Sequence, residues 1–144
     1  MAYSHVAHDC VLGNNVTMIN LATLGEHVEV DDWAMLSGGV MVHQFVRIGA
    51  HAFVGGLFRV TQDVPPFVMA VGEPLKYGGI NSVGLRRRGF SSKDRIKIKH
   101  AYRLYFRSGL KPSDAVSKIK SEFPDDKNIL SIVDFIKNSK RGII

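Results

Sequence analysis

Hydrophobic positions recur every six residues through the first half of the chain. From Val6 the series runs Leu12, Met18, Leu24, Val30, Leu36, Val42, Ile48, Val54 and Val60, and every member is aliphatic or Met. Four residues after each lies a second series: Cys10, Val16, Ala22, Val28, Ala34, Val40, Val46, Ala52, Phe58 and Val64, small or branched except Phe58. An amphipathic helix repeats at about 3.6 residues and a half-exposed strand at about two, so neither sustains this spacing. A solenoid does, with each hexad supplying one short strand and one turn, and three hexads closing a triangular coil. The first series then points into the prism, each side chain stacked on its counterpart in the next coil, about 4.8 Å away. The glycines that follow Leu12, Leu24, Ile48 and Val54 are read as tight-turn residues. The predicted fold is mainly β, a left-handed parallel β-helix (a hexapeptide solenoid) over residues 1–66.

The repeat stops at Asp63-Val-Pro65-Pro66, where the prolines withhold ladder donors. A Gly-rich connector is expected over residues 67–90, and beyond it the period turns helical. Ser91 and Ser92 are N-cap candidates, with Ile98, Ala101, Tyr102 and Tyr105 on one helical face and Gly109 at the C-terminal cap. Pro112-Ser113 opens a second helix carrying Ala115, Val116 and Ile119, which stops before Pro124. A third places Ile129, Ile132, Val133 and Ile136 together and fades at Gly142. Residues 91–144 are therefore expected to form a small three-helix domain. At the other end the first hexad is under way by Val6 with no capping element, so the chain reads as the C-terminal part of a longer solenoid, its N-terminal coils missing.

Composition narrows the class. Hydrophobic residues make up 45% and charged residues 22% of 144, which excludes disorder and collagen-like repeats. No apolar stretch reaches the roughly 20 residues a membrane span needs. The first residues have neither a basic start nor an apolar core, so no signal peptide is expected. Cys10 is the sole cysteine, which excludes a disulfide framework. These features predict a soluble, cytoplasmic protein. The net charge of +6 is uneven, with residues 1–80 at −4 and residues 81–144 at +10. A basic half calls for an acidic partner: nucleic acid, a membrane surface, a phosphorylated ligand or an acidic protein.

Five of the six histidines lie in the solenoid. Wound into three-hexad coils, His8, Glu26, Gln44 and Gln62 share a column, Asp9 and His27 share the next, and His43 lies beside Gln44. His8, Asp9, Glu26, His27, His43 and Gln44 thus form one polar strip along an edge. A zinc site needs three convergent ligands, and the chain lacks the histidine pair five residues apart that solenoid zinc enzymes use. Covalent catalysis needs a nucleophile beside a base, whereas Cys10 falls in an inward column where thiols are usually inert. General-base catalysis needs one imidazole and a carboxylate to fix its tautomer, which His8 and Asp9 supply. That third chemistry fits best.

Four stretches then carry a resemblance: His5-Val-Ala-His8-Asp9-Cys10, Val42-His43-Gln44-Phe45, Gln62-Asp63-Val-Pro-Pro66 and Gly84-Leu-Arg-Arg-Arg-Gly-Phe90-Ser91. With the helical tail, they resemble the UDP-N-acetylglucosamine 3-O-acyltransferases of lipid A biosynthesis. The resemblance implies a homotrimer with active sites between neighbouring solenoids. It implies transfer of a 3-hydroxyacyl chain from acyl carrier protein to the 3-hydroxyl of UDP-N-acetylglucosamine, with no cofactor and no metal.

Residue by residue, the resemblance makes His8 the general base, Asp9 its orienting carboxylate, and the backbone N–H of Glu26 the oxyanion donor. His5, His27, His43 and Gln44 take substrate-binding positions, and Asn81, Arg87 and Arg88 the positions that hold the nucleotide and its diphosphate. Gly56 takes a position that limits acyl length. Val83 departs from relatives that carry Glu there. A UDP-3-O-acylglucosamine N-acyltransferase is the alternative on the same fold. A non-catalytic trimeric scaffold is the alternative of another class, and the basic tail lacks a nucleic-acid reading motif.

Overall fold

The computed structural model describes residues 1–144, which form two compact units: Met1–Asn81 together with Ser139–Ile144, and Ser82–Asn138. The first unit is a left-handed parallel β-helix. Ten two-residue strands follow the hexads: β1 (His5–Val6), β2 (Val11–Leu12), β3 (Thr17–Met18), β4 (Thr23–Leu24), β5 (Glu29–Val30), β6 (Met35–Leu36), β7 (Met41–Val42), β8 (Arg47–Ile48), β9 (Phe53–Val54) and β10 (Arg59–Val60). Strands β1 to β7 each pair in parallel with the strand three hexads on, so Val6 faces Leu24 and Leu12 faces Val30. Three sheets result: β1-β4-β7-β10, β2-β5-β8, and a third containing β3-β6-β9.

Both hydrophobic series point inward. Leu24, Val30, Leu36, Ile48, Val54 and Val60 are sealed, as are Ala22, Val28, Ala34, Val40, Val46, Ala52 and Val64. The exception is the first coil, where Val6 and Leu12 are 43% and 42% exposed because no coil of this chain lies beneath them.

The corners differ from the sequence expectation. Residues 3, 9, 15, 21, 27, 33, 39, 45, 51 and 57 all have φ between 56° and 71°, and only one of them is glycine. The left-handed conformation costs a non-Gly residue about 1–2 kcal/mol. It is held in place here because the N–H of each corner residue above the first coil donates to the coil below: His27 to His8, Phe45 to Glu26 and His51 to Asp32. Gly13, Gly25 and Gly49 lie two residues before these corners and serve close approach. A Cβ on Gly13 would sit 2.7 Å from the Asp32 nitrogen and one on Gly25 2.8 Å from the Gln44 nitrogen, while on Gly49 it would overlap the Pro66 backbone.

The coil also runs past the prolines. Where the sequence suggests only a connector, β11 (Val68–Val71) pairs in parallel with β9, Ala70 facing Val54, in a turn shortened by two residues. Strand β12 (Lys76–Ile80) folds back antiparallel on β11. Residues 139–144 return to the same unit. Asp63, 1% exposed, accepts from the Arg47 backbone N–H (2.8 Å) and the Ser139 hydroxyl (2.6 Å), and bridges to Ile143.

The second unit has four helices, α1 (Ser82–Arg87), α2 (Ser92–Arg107), α3 (Pro112–Glu122) and α4 (Lys127–Lys137), one more than the periodicity predicts. Six residues are too few to show a 3.6 period, so α1 is invisible to that test. A capping box starts α2, with the Ser91 hydroxyl accepting from the Asp94 N–H at 3.0 Å. Gly109, with φ +77°, follows its end. Ile98, Ala101, Tyr102 and Leu104 form the buried face of α2, with Tyr105 only half-buried. In α4 Phe135 is buried and Ile136 half-buried. The helix α2 packs on α1, α3 and α4. None of the helices is long and apolar enough to cross a membrane.

Candidate active site

One corner of the prism gathers the chemistry. Asp9, His27 and Phe45 are corner residues of successive coils, and His8 precedes Asp9 in the first. Coil stacking therefore brings together side chains eighteen residues apart. The His8 Nδ1 lies 2.9 Å from Asp9 Oδ2, and His27 Nε2 lies 3.8 Å from the same oxygen. The two imidazoles meet edge to face at 5.6 Å, and His27 stacks flat on Phe45 at 4.7 Å. All three polar side chains open to solvent, His8 at 69%, Asp9 at 66% and His27 at 42% exposure.

Hydrogen bonding to His8, reinforced by the charge of His27, holds the Asp9 carboxyl below the ordinary carboxylate range. The carboxylate is placed to accept from a proton on His8 Nδ1, the tautomer whose Nε2 carries the lone pair a base needs. Beside the pair, the Gly25 and His27 N–H groups donate to Val42 and His8, whereas the Glu26 N–H between them joins no bond between coils. The corner thus offers a base, its orienting carboxylate and an uncommitted backbone donor, the parts a proton-abstracting acyl transfer requires.

The remaining predicted residues divide. His5 stands exposed on β1, paired with Thr23, and makes no ring contact with the pair. His43 and Gln44 are exposed one coil above Gly25 and Glu26, and His43 Nδ1 lies 3.3 Å from the Gln44 carbonyl. Asn81 is buried, and its amide donates to the His51 carbonyl at 3.0 Å. In the helical unit Arg87 is exposed on α1, while Arg88 is half-buried, and that burial lowers its pKa. Gly56 is exposed, and a Cβ there would lie 3.2 Å from the Gly38 carbonyl. Cys10 is half-buried with its thiol on the Gly25 carbonyl. Phe45 is the contributor that sequence reasoning missed. Its signal is its column, since it continues Asp9 and His27 at the eighteen-residue step.

The fold is thus of the hexapeptide-repeat class, a left-handed solenoid carrying a histidine–aspartate pair on a corner and followed by a helical unit. A family model described as UDP N-acetylglucosamine O-acyltransferase, domain 2, matches residues 63–144, and the chain belongs to that family. An acyl-[acyl-carrier-protein]–UDP-N-acetylglucosamine O-acyltransferase of Janthinobacterium sp. (strain Marseille) is 48% identical across the whole chain, and one from Thiobacillus denitrificans is 43% identical. The chain spans 56% of the length of each and corresponds to their C-terminal part.

Among solved structures, the Francisella novicida UDP-N-acetylglucosamine acyltransferase superposes with a TM-score of 0.96 at 41% identity, over 100% of this chain and 53% of its own. The Bacteroides fragilis UDP-N-acetylglucosamine acyltransferase does so at 0.96 and 45%, over 98% and 55%.

Proposed function

We propose that this chain forms the catalytic corner of an enzyme that moves an acyl group, of the 3-hydroxyacyl type, from acyl carrier protein to the 3-hydroxyl of UDP-N-acetylglucosamine, the first step of lipid A biosynthesis in the cytoplasm. The observation that carries it is the His8 Nδ1–Asp9 Oδ2 contact of 2.9 Å on a solvent-open corner. His8 Nε2 takes the proton of the sugar hydroxyl as that oxygen attacks the thioester carbonyl. The Glu26 N–H donates to the resulting oxyanion. Collapse breaks the C–S bond, and the carrier thiolate leaves with the proton held by His8. His5, His27, His43 and Gln44 contact the substrates, Gly56 bears on acyl length, and Asn81, Arg87 and Arg88 hold the nucleotide. A homotrimer supplies the facing wall that an exposed corner needs.

The test is transfer itself. The chain, alone and fused to the upstream coils of the Janthinobacterium relative, is incubated with a 3-hydroxyacyl carrier and UDP-N-acetylglucosamine. Mass spectrometry should show the O-acylated sugar nucleotide from the fusion at least. A folded fusion that makes none would defeat the proposal.

Two expectations follow for the basic half. Arg88→Ala should raise KM for the nucleotide sugar by about tenfold with a smaller change in kcat, because diphosphate contacts exist in ground and transition states alike. Steady-state kinetics with varied nucleotide sugar decide it, and an unchanged KM removes Arg88 from the site.

On α2, Arg95, Lys99, Arg103 and Arg107 recur at the four-residue step and form one basic stripe. Arg95 is folded back on the Phe90 carbonyl (2.6 Å) and the Ser92 hydroxyl (3.2 Å), while Lys99, Arg103 and Arg107 are exposed. Acyl carrier protein, an acidic partner, docks on this stripe. Reversing Arg103 and Arg107 to Glu should raise KM for the acylated carrier about tenfold or more and leave nucleotide-sugar binding unchanged. Docking should also weaken with salt, as the Debye length falls from about 10 Å at 0.1 M to about 3 Å at 1 M. Unaltered carrier kinetics in the double variant would reduce the stripe to solvated surface.

A further inference from the structure

We infer that His8, Asp9 and His27 form a binding site for a late divalent transition metal of the zinc and cobalt type. One donor atom from each lies within 4.8 Å of those of the other two. Tetrahedral zinc with bonds of about 2.0–2.1 Å sets its ligands about 3.3 Å apart. The contacts of Asp9 Oδ2 with His8 Nδ1, at 2.9 Å, and with His27 Nε2, at 3.8 Å, bracket that edge. The third edge, between the two imidazole nitrogens, is within 4.8 Å.

The backbone itself is fixed. The His27 N–H donates to the His8 carbonyl at 3.2 Å, locking the two coils in register, and the Phe45 ring holds the plane of His27. Two imidazoles and one carboxylate favour zinc, cobalt or nickel over magnesium or calcium, which prefer all-oxygen sets. Three protein ligands leave a fourth position open to solvent.

The sequence suggests no metal because no histidine pair has the spacing used by solenoid zinc enzymes. The ligands here converge through coil stacking, at a separation of nineteen residues between His8 and His27, which a search for local spacing passes over.

Metal and base are mutually exclusive. A metal on His8 Nδ1 displaces the proton that Asp9 holds, so the neutral ring carries its proton on Nε2 and cannot accept another. This consequence rests on the proposed transfer mechanism, whereas the site itself rests on geometry alone.

The test uses the untagged chain in metal-free buffer, titrated with Co²⁺ and followed by its visible d–d absorption. A saturable band of tetrahedral intensity at one equivalent is expected, displaced by Zn²⁺. Outer partners of a metal site alone carry about 10–100-fold in affinity, so His8→Ala and His27→Ala should each weaken Co²⁺ at least about tenfold. His100→Ala, in the helical unit, should leave the titration unchanged. All three side chains are at least partly exposed, and circular dichroism verifies that the variants fold. Absence of a saturable band, or a band indifferent to both corner substitutions, overturns the site. A site confirmed by cobalt while saturating Zn²⁺ leaves acyl transfer untouched would instead count against His8 as the base.

Discussion

Replacing His8 by Ala should lower turnover by about 10²–10⁴-fold, the usual share of a general base. The sugar hydroxyl is a poor nucleophile until its proton departs during attack, and on this corner His8 is the imidazole within hydrogen-bond distance of the Asp9 carboxylate. In the proposed transfer the carboxylate at 2.9 Å would fix the tautomer and, by remaining ionised, stabilise the imidazolium formed during attack. His27 is 3.8 Å from the same carboxylate but stacked on Phe45, so it has less freedom to follow a substrate. Binding of UDP-N-acetylglucosamine should change far less than turnover, since the proton moves only in the transition state. Single-turnover kinetics on the fusion with upstream coils separate the two quantities. A fall of less than about fivefold would mean that another group acts as base.

Much of this corner is legible in the sequence because a solenoid converts sequence separation into vertical position. Once the coil length is known, His8, Asp9 and His27 must neighbour one another, as the register of Val6 on Leu24 and Leu12 on Val30 confirms. The same step leads to Phe45, although an aromatic residue in a run of polar ones does not read as part of a site. The functions of the glycines are harder to see. A period-six glycine looks like a turn residue, yet the left-handed corners fall two residues later on Asn15, His27, His51 and Leu57. What holds those residues in place is the N–H bond to the coil below, a long-range feature with no local signature.

The end of the solenoid is obscured for a related reason. Pro65 and Pro66 remove two donors, which ordinarily stops a ladder, but the turn shortens by two residues and β11 regains its register on β9. The return of residues 139–144 depends on the Asp63 carboxylate reaching both the Arg47 N–H and the Ser139 hydroxyl across many intervening residues. A pattern scan sees Asp63 as an ordinary polar turn residue. The positions of Arg87 and Arg88 at the end of α1 are likewise a matter of one short helix that periodicity cannot resolve.

Leu36→Ala should destabilise the solenoid unit by about 2–5 kcal/mol, whereas Leu12→Ala, the same chemical change in the same column family, should cost about 1 kcal/mol or less. Leu36 is sealed, with Met18 and Val54 at the registered positions one coil to either side. Removing its isobutyl group leaves a cavity that the flanking coils cannot collapse, because the strands, the corner N–H bonds and the close-approach glycines all fix the coil spacing. The cost is therefore transfer free energy plus cavity. Leu12 is 42% exposed on the first coil, where water already touches one side and no closed cavity can form. Urea denaturation monitored by circular dichroism compares the two directly. Equal losses would mean that the interior is not organised coil by coil, since a quasi-one-dimensional stack predicts a steep difference between a middle coil and an uncovered one.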